Sequence, residues 1–319
     1  MDNPVKKVLI TGGAGGLGAV YTRRFARAGY QVRMFDLPTP VNKKNFRRPE
    51  RDIELFWGDI TDWNSVREAV RGVDHVFHLA ALVVPATEKN PELAYKVNVG
   101  GTKNVLDAAE EESERTGRAV PVGFSSSVTV FGITKDETPP ITVDHPLNPT
   151  DNYNGTKIKA EALVRNAAVP WSIFRFAAVV YLIIRKGDFA RMRMIPPENR
   201  IEFVHIHDVC DALLNSINNE EAVGKTFILG GGPRCRMTYR EQTKRTFDFL
   251  GLPEPDWSKF TDKPFYLDWY DTVESQRILK FQNRDFGDYL RDFKKALGMK
   301  YYGSRYVAGP AMKLLGIRL

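Results

Sequence analysis

Val8, Leu9 and Ile10 form an unbroken apolar run, five glycines crowd positions 12 to 18, and Leu17, Val20, Tyr21, Phe25 and Ala28 then recur at helical spacing. This pattern predicts a buried parallel strand, a glycine turn and a helix. Further apolar runs at 30–36, 53–59, 74–81, 119–127 and 170–181 predict strands, most of them separated by helical stretches. Such alternation predicts an α/β protein with a Rossmann-type doubly wound parallel sheet, whose ligands bind beyond the carboxyl ends of the strands. Past residue 182 the pattern loosens. Residues 184–200 read as a basic loop, a helix is expected from His207, "GKTFILGGG" reads as a strand, and "TYREQTKRTFDFLG" as an amphipathic helix. The expected organisation is a nucleotide-binding domain over 1–181, with 203–230 returning to it. A smaller C-terminal substrate lobe is expected from 182–202 and 231–319.

Glycine weakens a helix interior by about 0.5–1 kcal/mol relative to alanine, so the cluster needs a compensating reason. A missing side chain lets backbone N–H groups and the positive helix end approach a diphosphate. Asp36 closes the second predicted strand 18 residues beyond Gly18, close to the spacing at which an acid takes the ribose hydroxyls of a dinucleotide. Its charge would repel the extra phosphate of NADP, so NAD is the expected cofactor, although Arg33 and the basic cluster at 42–51 leave room for NADP. Small or polar residues at the other strand ends (Gly58 and Asp59, Ala80 and Ala81, Ser125 to Ser127) mark places where a ligand would come close to the backbone.

Tyr153 and Lys157 stand four residues apart at the start of a predicted helix and share one face. A fixed ammonium ion favours the phenolate, which predicts a lowered phenol pKa and an acid–base role on a substrate hydroxyl. The hydroxyls of Ser125 to Ser127 end a strand at the same sheet edge and can orient the substrate oxygen.

Composition and charge exclude more than they identify. The 319 residues are 43% hydrophobic and 27% charged, an ordinary globular balance without low-complexity tracts. Cys210 and Cys235 are too few for a disulfide framework or a four-cysteine zinc site. His205 and His207 alternate on an apparent strand end and are expected on opposite faces, so no metal is expected. The net charge of +7 comes with no recognisable nucleic-acid module. The first residues lack the apolar stretch of a leader and no apolar run is long enough to span a bilayer, so a soluble cytoplasmic protein is expected, and the sequon at Asn154 should be silent. The acid-free stretch from Met299 to Leu319 is expected to pack over the substrate lobe rather than touch an anionic membrane.

"TGGAGGLG", Asp36, "GDI" at 58–60, "HLAA" at 78–81, "NVGGT" at 98–102, "SSSVTVFG" at 125–132, "YNGTK" and "FVHIHDV" at 203–209 together resemble an extended short-chain dehydrogenase/reductase of the NAD-dependent epimerase/dehydratase family. The resemblance implies that Gly12, Gly15, Gly16, Leu17 and Gly18 line the diphosphate, and that Asp36 holds the ribose. Asp59 and Ile60 would flank the adenine, and Leu79, Ala80, Ala81, Asn98 and Ser125 would line the cofactor channel. It makes Ser127, Tyr153 and Lys157 the catalytic triad, the latter two also touching cofactor, and implies a homodimer through helices near 92–112 and 153–167. Val128 and Thr129 replace the acid pair of the family's dehydratases, so dehydration is not expected, whereas Thr129 resembles the epimerases.

An arginine that commonly holds a substrate diphosphate is replaced by Ile201, with Arg200 one residue away. Arg191, Arg193, Arg234 and Arg236 offer another anion clamp. Two readings follow. The first is a sugar-nucleotide epimerase working through a transient ketone, with Ser127, Thr129, Arg191, Arg193 and Arg200 as candidate substrate contacts. The alternative is a net dehydrogenase or reductase of a secondary alcohol or ketone on an apolar, sterol- or flavonoid-like substrate. A third class, an NAD-binding protein without catalysis, is disfavoured by the complete triad.

Overall fold

A computed structural model describes residues 6–182 and 188–315. Seven strands form one parallel sheet: β1 Lys7–Thr11, β2 Gln31–Asp36, β3 Ile53–Trp57, β4 His75–His78, β5 Val122–Ser127, β6 Trp171–Phe176 and β9 Lys225–Leu229. Their order is β3-β2-β1-β4-β5-β6-β9, and the direction of travel reverses between β1 and β4. Side chains alternate across a strand. Val8 and Ile10 of β1 therefore enter one core with Phe25, Phe77 and Val209, while Leu9 enters the opposite core with Val66, Val105 and Ala160. Both faces of the sheet are thus covered, which is why its strands read as continuous apolar runs.

A second, three-stranded sheet joins β7 Ala178–Val179, β8 Arg200–Val204 and β10 Arg236–Thr238 in the order β10-β8-β7. Ile201, Phe203, Met237, Phe247, Phe286 and Tyr289 build its separate core. The segment read as a basic loop carries a short helix, Asp188–Met192, and residues 183–187 lie outside the described residues.

His205 and His207 also depart from expectation. His205 is the N-cap of the helix Ile206–Ser216, its Nδ1 accepting from the His207 amide at 3.1 Å, so the chain leaves extended geometry there. The two rings consequently lie side by side, 5.1 Å apart, rather than on opposite faces. No cluster of three metal-ligating side chains occurs among the described residues.

Candidate active site

The turn after β1 and the ends of β2, β4 and β5 meet at the carboxyl edge of the sheet. Gly12 has φ +67°, and a Cβ there would sit 2.8 Å from the backbone of Ala80; one on Gly18 would sit 2.1 Å from the Gly12 carbonyl oxygen. These two glycines therefore serve the closeness of the turn to β4 and to its own helix. Gly15 and Gly16 remain accessible, and the helix Gly18–Arg27 has no side-chain cap. The amides of Ala19, Val20 and Tyr21 are taken by the carbonyls of Gly15 and Leu17, so an anion at this helix end would meet the amides of Gly16 to Gly18. Gly58 was expected to admit ligand, but its missing Cβ makes room for Phe35 and Ser65 instead.

Asp36 closes β2 beside this turn, accepting from the amides of Ala14 at 3.0 Å and Leu37 at 2.8 Å. Arg33 is drawn elsewhere: it pairs with Glu54 at 3.1 Å and donates to the carbonyls of Ala69 and Arg71. Asp59 accepts from Thr61 N, Ile60 is buried against Gly101, and the Ala80 amide donates to Thr11 Oγ1. Leu79 and Ala81 flank Ala80 just beyond β4, and the backbone of Leu79 and Ala80 faces Gly12 across the turn. Asn98 is buried, and its amide binds both backbone groups of Leu82 and the Thr156 hydroxyl. It clamps the loop after β4 to the helix Asn152–Arg165.

That helix, Asn152–Arg165, is N-capped by Asp151, which accepts from the Asn154 amide at 2.7 Å. Tyr153 sits in its first turn, half-buried, and Lys157 follows one turn later, buried. Lys157 Nζ donates to the Ser125 carbonyl at 2.7 Å and lies 6.0 Å from the Tyr153 ring centre. The Ser125 hydroxyl turns inward to the His78 carbonyl, whereas Ser127 Oγ accepts from Thr129 Oγ1 at 3.0 Å. Ser127 and Thr129 thus form one hydroxyl pair beside the helix start.

The electrostatics differ from the sequence expectation. Burial, with Tyr266, Tyr181 and Asp151 nearby, raises the Tyr153 phenol above its ordinary value, and Ser127 pulls weakly the other way. Burial also lowers Lys157 to about 8, opposed by Glu161. The cost of placing charge in a poorly solvated pocket outweighs the help of the nearby ammonium ion.

Sequence reasoning missed the ion pair behind this helix. Glu161, fully buried one turn after Lys157, receives Arg175 Nε at 3.0 Å and Nη2 at 2.8 Å, and Arg165 at 2.7 Å. The signal was present in "WSIFRF", because an arginine inside a buried strand needs a buried partner.

The arginines expected to bind substrate are largely committed. Arg200 pairs with Asp268 through Nε at 2.6 Å and Nη2 at 2.8 Å, and Nη2 also reaches the carbonyls of Thr134, Lys135 and Glu137. Arg236 binds Glu202 at 2.9 Å and the Tyr270 carbonyl, and Arg234 reaches the Gln282 carbonyl. Arg191 is exposed on the short helix, with Arg193 half-buried just beyond it. Ile201 is 3% exposed in the core of the second sheet. Neighbouring residues of a strand face opposite ways, so Arg200 is no small displacement of a charge from position 201. An open cleft of about 880 Å³ lies at the β9 edge of the sheet and is lined by none of the residues expected to act; its Arg165 and Lys225 are held by Glu161 and Glu274.

A doubly wound sheet with a glycine turn, a strand-end acid and a Ser-Tyr-Lys set at its carboxyl edge has the layout of a dinucleotide-binding fold. Residues 8–182 match the model of the NAD dependent epimerase/dehydratase family, and the chain belongs to that family. It is 31% identical over 179 residues to human sterol-4-alpha-carboxylate 3-dehydrogenase (decarboxylating), covering 56% of this chain and 44% of that one. It is 33% identical over 161 residues to UDP-glucose 4-epimerase of Lactobacillus helveticus, covering 50% and 46%. The matched segment thus spans under half the length of these relatives. The fold resembles the structure of a UDP-glucuronic acid 4-epimerase from Bacillus cereus, with TM-score 0.78, 19% identity, and 92% and 100% of the two chains covered.

Proposed function

We propose that the protein is an NAD-dependent oxidoreductase that interconverts a secondary alcohol and its ketone on an apolar substrate. The uncapped helix end, accessible Gly15 and Gly16, and Asp36 fit a dinucleotide. Gly15, Gly16, Asp36, Asp59, Tyr153 and Lys157 would hold NAD, which supplies the site that takes up or gives back the hydride. Tyr153 takes the hydroxyl proton during oxidation and returns it during reduction. Ser127, steadied by Thr129, holds the same oxygen, and the Lys157 charge favours the ionised phenol.

The observation that carries the substrate class is the fate of position 201 and its neighbour. Epimerisation of a nucleotide sugar needs an anchored diphosphate while the ketone turns over. Here a buried isoleucine stands at the anchor position and Arg200 is spent on Asp268. This weighs against the epimerase and towards net oxidation or reduction.

The test is to titrate NAD and NADP by calorimetry, then incubate the enzyme with NAD and a panel of sterol-like alcohols and UDP-, GDP- and dTDP-sugars. Tighter NAD binding and stoichiometric NADH from an apolar alcohol are expected. Epimer exchange of a sugar nucleotide without net NADH would overturn the proposed substrate class, and tighter NADP binding would overturn the role of Asp36.

The proposal includes a homodimer, supported by Leu93 and Tyr95, which stay exposed where the helical run from Pro91 begins. Light scattering that shows only monomer at micromolar concentration would remove it. Two buried, unpaired cysteines support a reducing compartment such as the cytoplasm.

A further inference from the structure

Met299–Gly303, Ser304–Ala308 and Gly309–Leu314 form one continuous helical run, with a wider turn in its middle segment. One side is pinned to the lobe beneath. Tyr301 is buried, its ring 4.9 Å from Phe249; Ser304 Oγ donates to the Leu250 carbonyl at 3.1 Å; and Arg305 Nη1 donates to the carbonyls of Asp248 and Phe249 at 2.9 and 2.8 Å. Gly309 lies so close to Gly251 that a Cβ would sit 2.1 Å from its carbonyl oxygen. These contacts pack the inner side of the run over the lobe and fix which side faces outward, so packing and a membrane contact need not be alternatives.

The outward side is not polar. Met299, Tyr302, Tyr306, Val307 and Leu314 are between 50% and 88% exposed; Met299, Tyr302 and Tyr306 follow at three- and four-residue steps, and Val307 and Leu314 lie two turns apart. The rings of Tyr302 and Tyr306 stack 6.2 Å apart. Single exposed apolar residues are ordinary on a protein surface, but a stripe along a helix of about 24 Å marks an interaction site.

Its charge chooses the occupant. From Met299 to Leu319 the sequence carries Lys300, Arg305, Lys313 and Arg318 and no acid. Lys294 lies 5.3 Å from the Tyr302 ring, adding a cation beside the stripe. Arg305 is spent on the lobe beneath, which leaves Lys294 and the exposed Lys300 beside the stripe, and apolar and tyrosine side chains flanked by lysines suit the boundary between lipid headgroups and acyl chains. No helix of the described residues is long and apolar enough to cross a membrane, so the run would lie in the surface plane.

We infer that the outer face of residues 299–314 docks the protein onto an anionic phospholipid surface. Docking is independent of the reaction assigned to the site, and its test measures no activity. The full chain is floated with vesicles of phosphatidylcholine alone and with vesicles of equal parts phosphatidylcholine and phosphatidylserine. Flotation with the anionic vesicles only, reversed by salt, is expected. Combining Tyr302→Ser, Tyr306→Ser and Leu314→Ser should reduce the bound fraction by at least about 10-fold, and Lys300→Ala by about fivefold. Unchanged melting of both variants keeps a folding defect from imitating the result. Wild-type protein that ignores both vesicles, or a triple variant that floats as well as wild type, would overturn the inference. So would a wild-type dimer that the triple variant dissolves without any flotation, since a second copy would then cover the stripe.

Discussion

Replacing Tyr153 with phenylalanine is expected to preserve NAD binding while lowering turnover by at least about 10²-fold. Phe keeps the ring and its packing but removes the oxygen that exchanges a proton with substrate. Ser127 and Lys157 cannot replace it: one is a neutral hydroxyl paired with Thr129, and the other donates to the Ser125 carbonyl. The pH profile adds an independent readout. Oxidation needs the ionised phenol, which burial makes scarce, so the wild-type rate should climb as pH rises. The climb should stop where Lys157 loses its charge, at about 8. The variant should lack the rising limb. Stopped-flow measurement of NADH formation across pH checks this, and unchanged turnover would move the proton-transfer role to another group.

Arg175→Met is expected to destabilise the protein by about 3–5 kcal/mol, because it strands the buried Glu161 carboxylate with the partly exposed Arg165 as its remaining cation. For a chain of this size the melting temperature should fall by roughly 10 °C. Arg165→Ala is the control and should matter much less, since Arg165 is partly solvated. Burial raises the Glu161 pKa, but Arg175, with Ser126 and Arg165 behind it, holds it below the ordinary carboxylate value. The pair's contribution is therefore complete above the unfolded carboxylate pKa and is lost as pH falls through the lower folded value. Thermal melts of wild type and Arg175→Met at neutral and acid pH should converge on acidification. Equal melting at neutral pH would show that the pair adds nothing.

Much of this protein was legible from neighbours in the chain. Apolar runs marked the strands because parallel strands are covered on both faces, and the glycine turn with its following helix was a local pattern. Tyr153 and Lys157 could be paired without a structure, since helix geometry brings residues four apart onto one face. Asp36 was found in the same way, by its distance from the turn and its place at a strand end.

What the tertiary structure decided concerns partners distant in sequence. Arg200 meets Asp268 across 68 positions, turning a candidate phosphate ligand into an internal tie. Glu161 meets Arg175 from a different element, and burial of Tyr153, with Tyr266 and Tyr181 nearby, reverses the expected direction of its pKa. His205 and His207 came together because the strand ends at Val204 and the helix starts at Ile206, where the pattern had read a continuing strand end. Backbone periodicity is written locally, so sequence determined the sheet, the turn and the placing of Tyr153 and Lys157 on one helix face. Desolvation and charge pairing depend on what the fold brings alongside, so only the folded chain decided which charges remain available to a substrate.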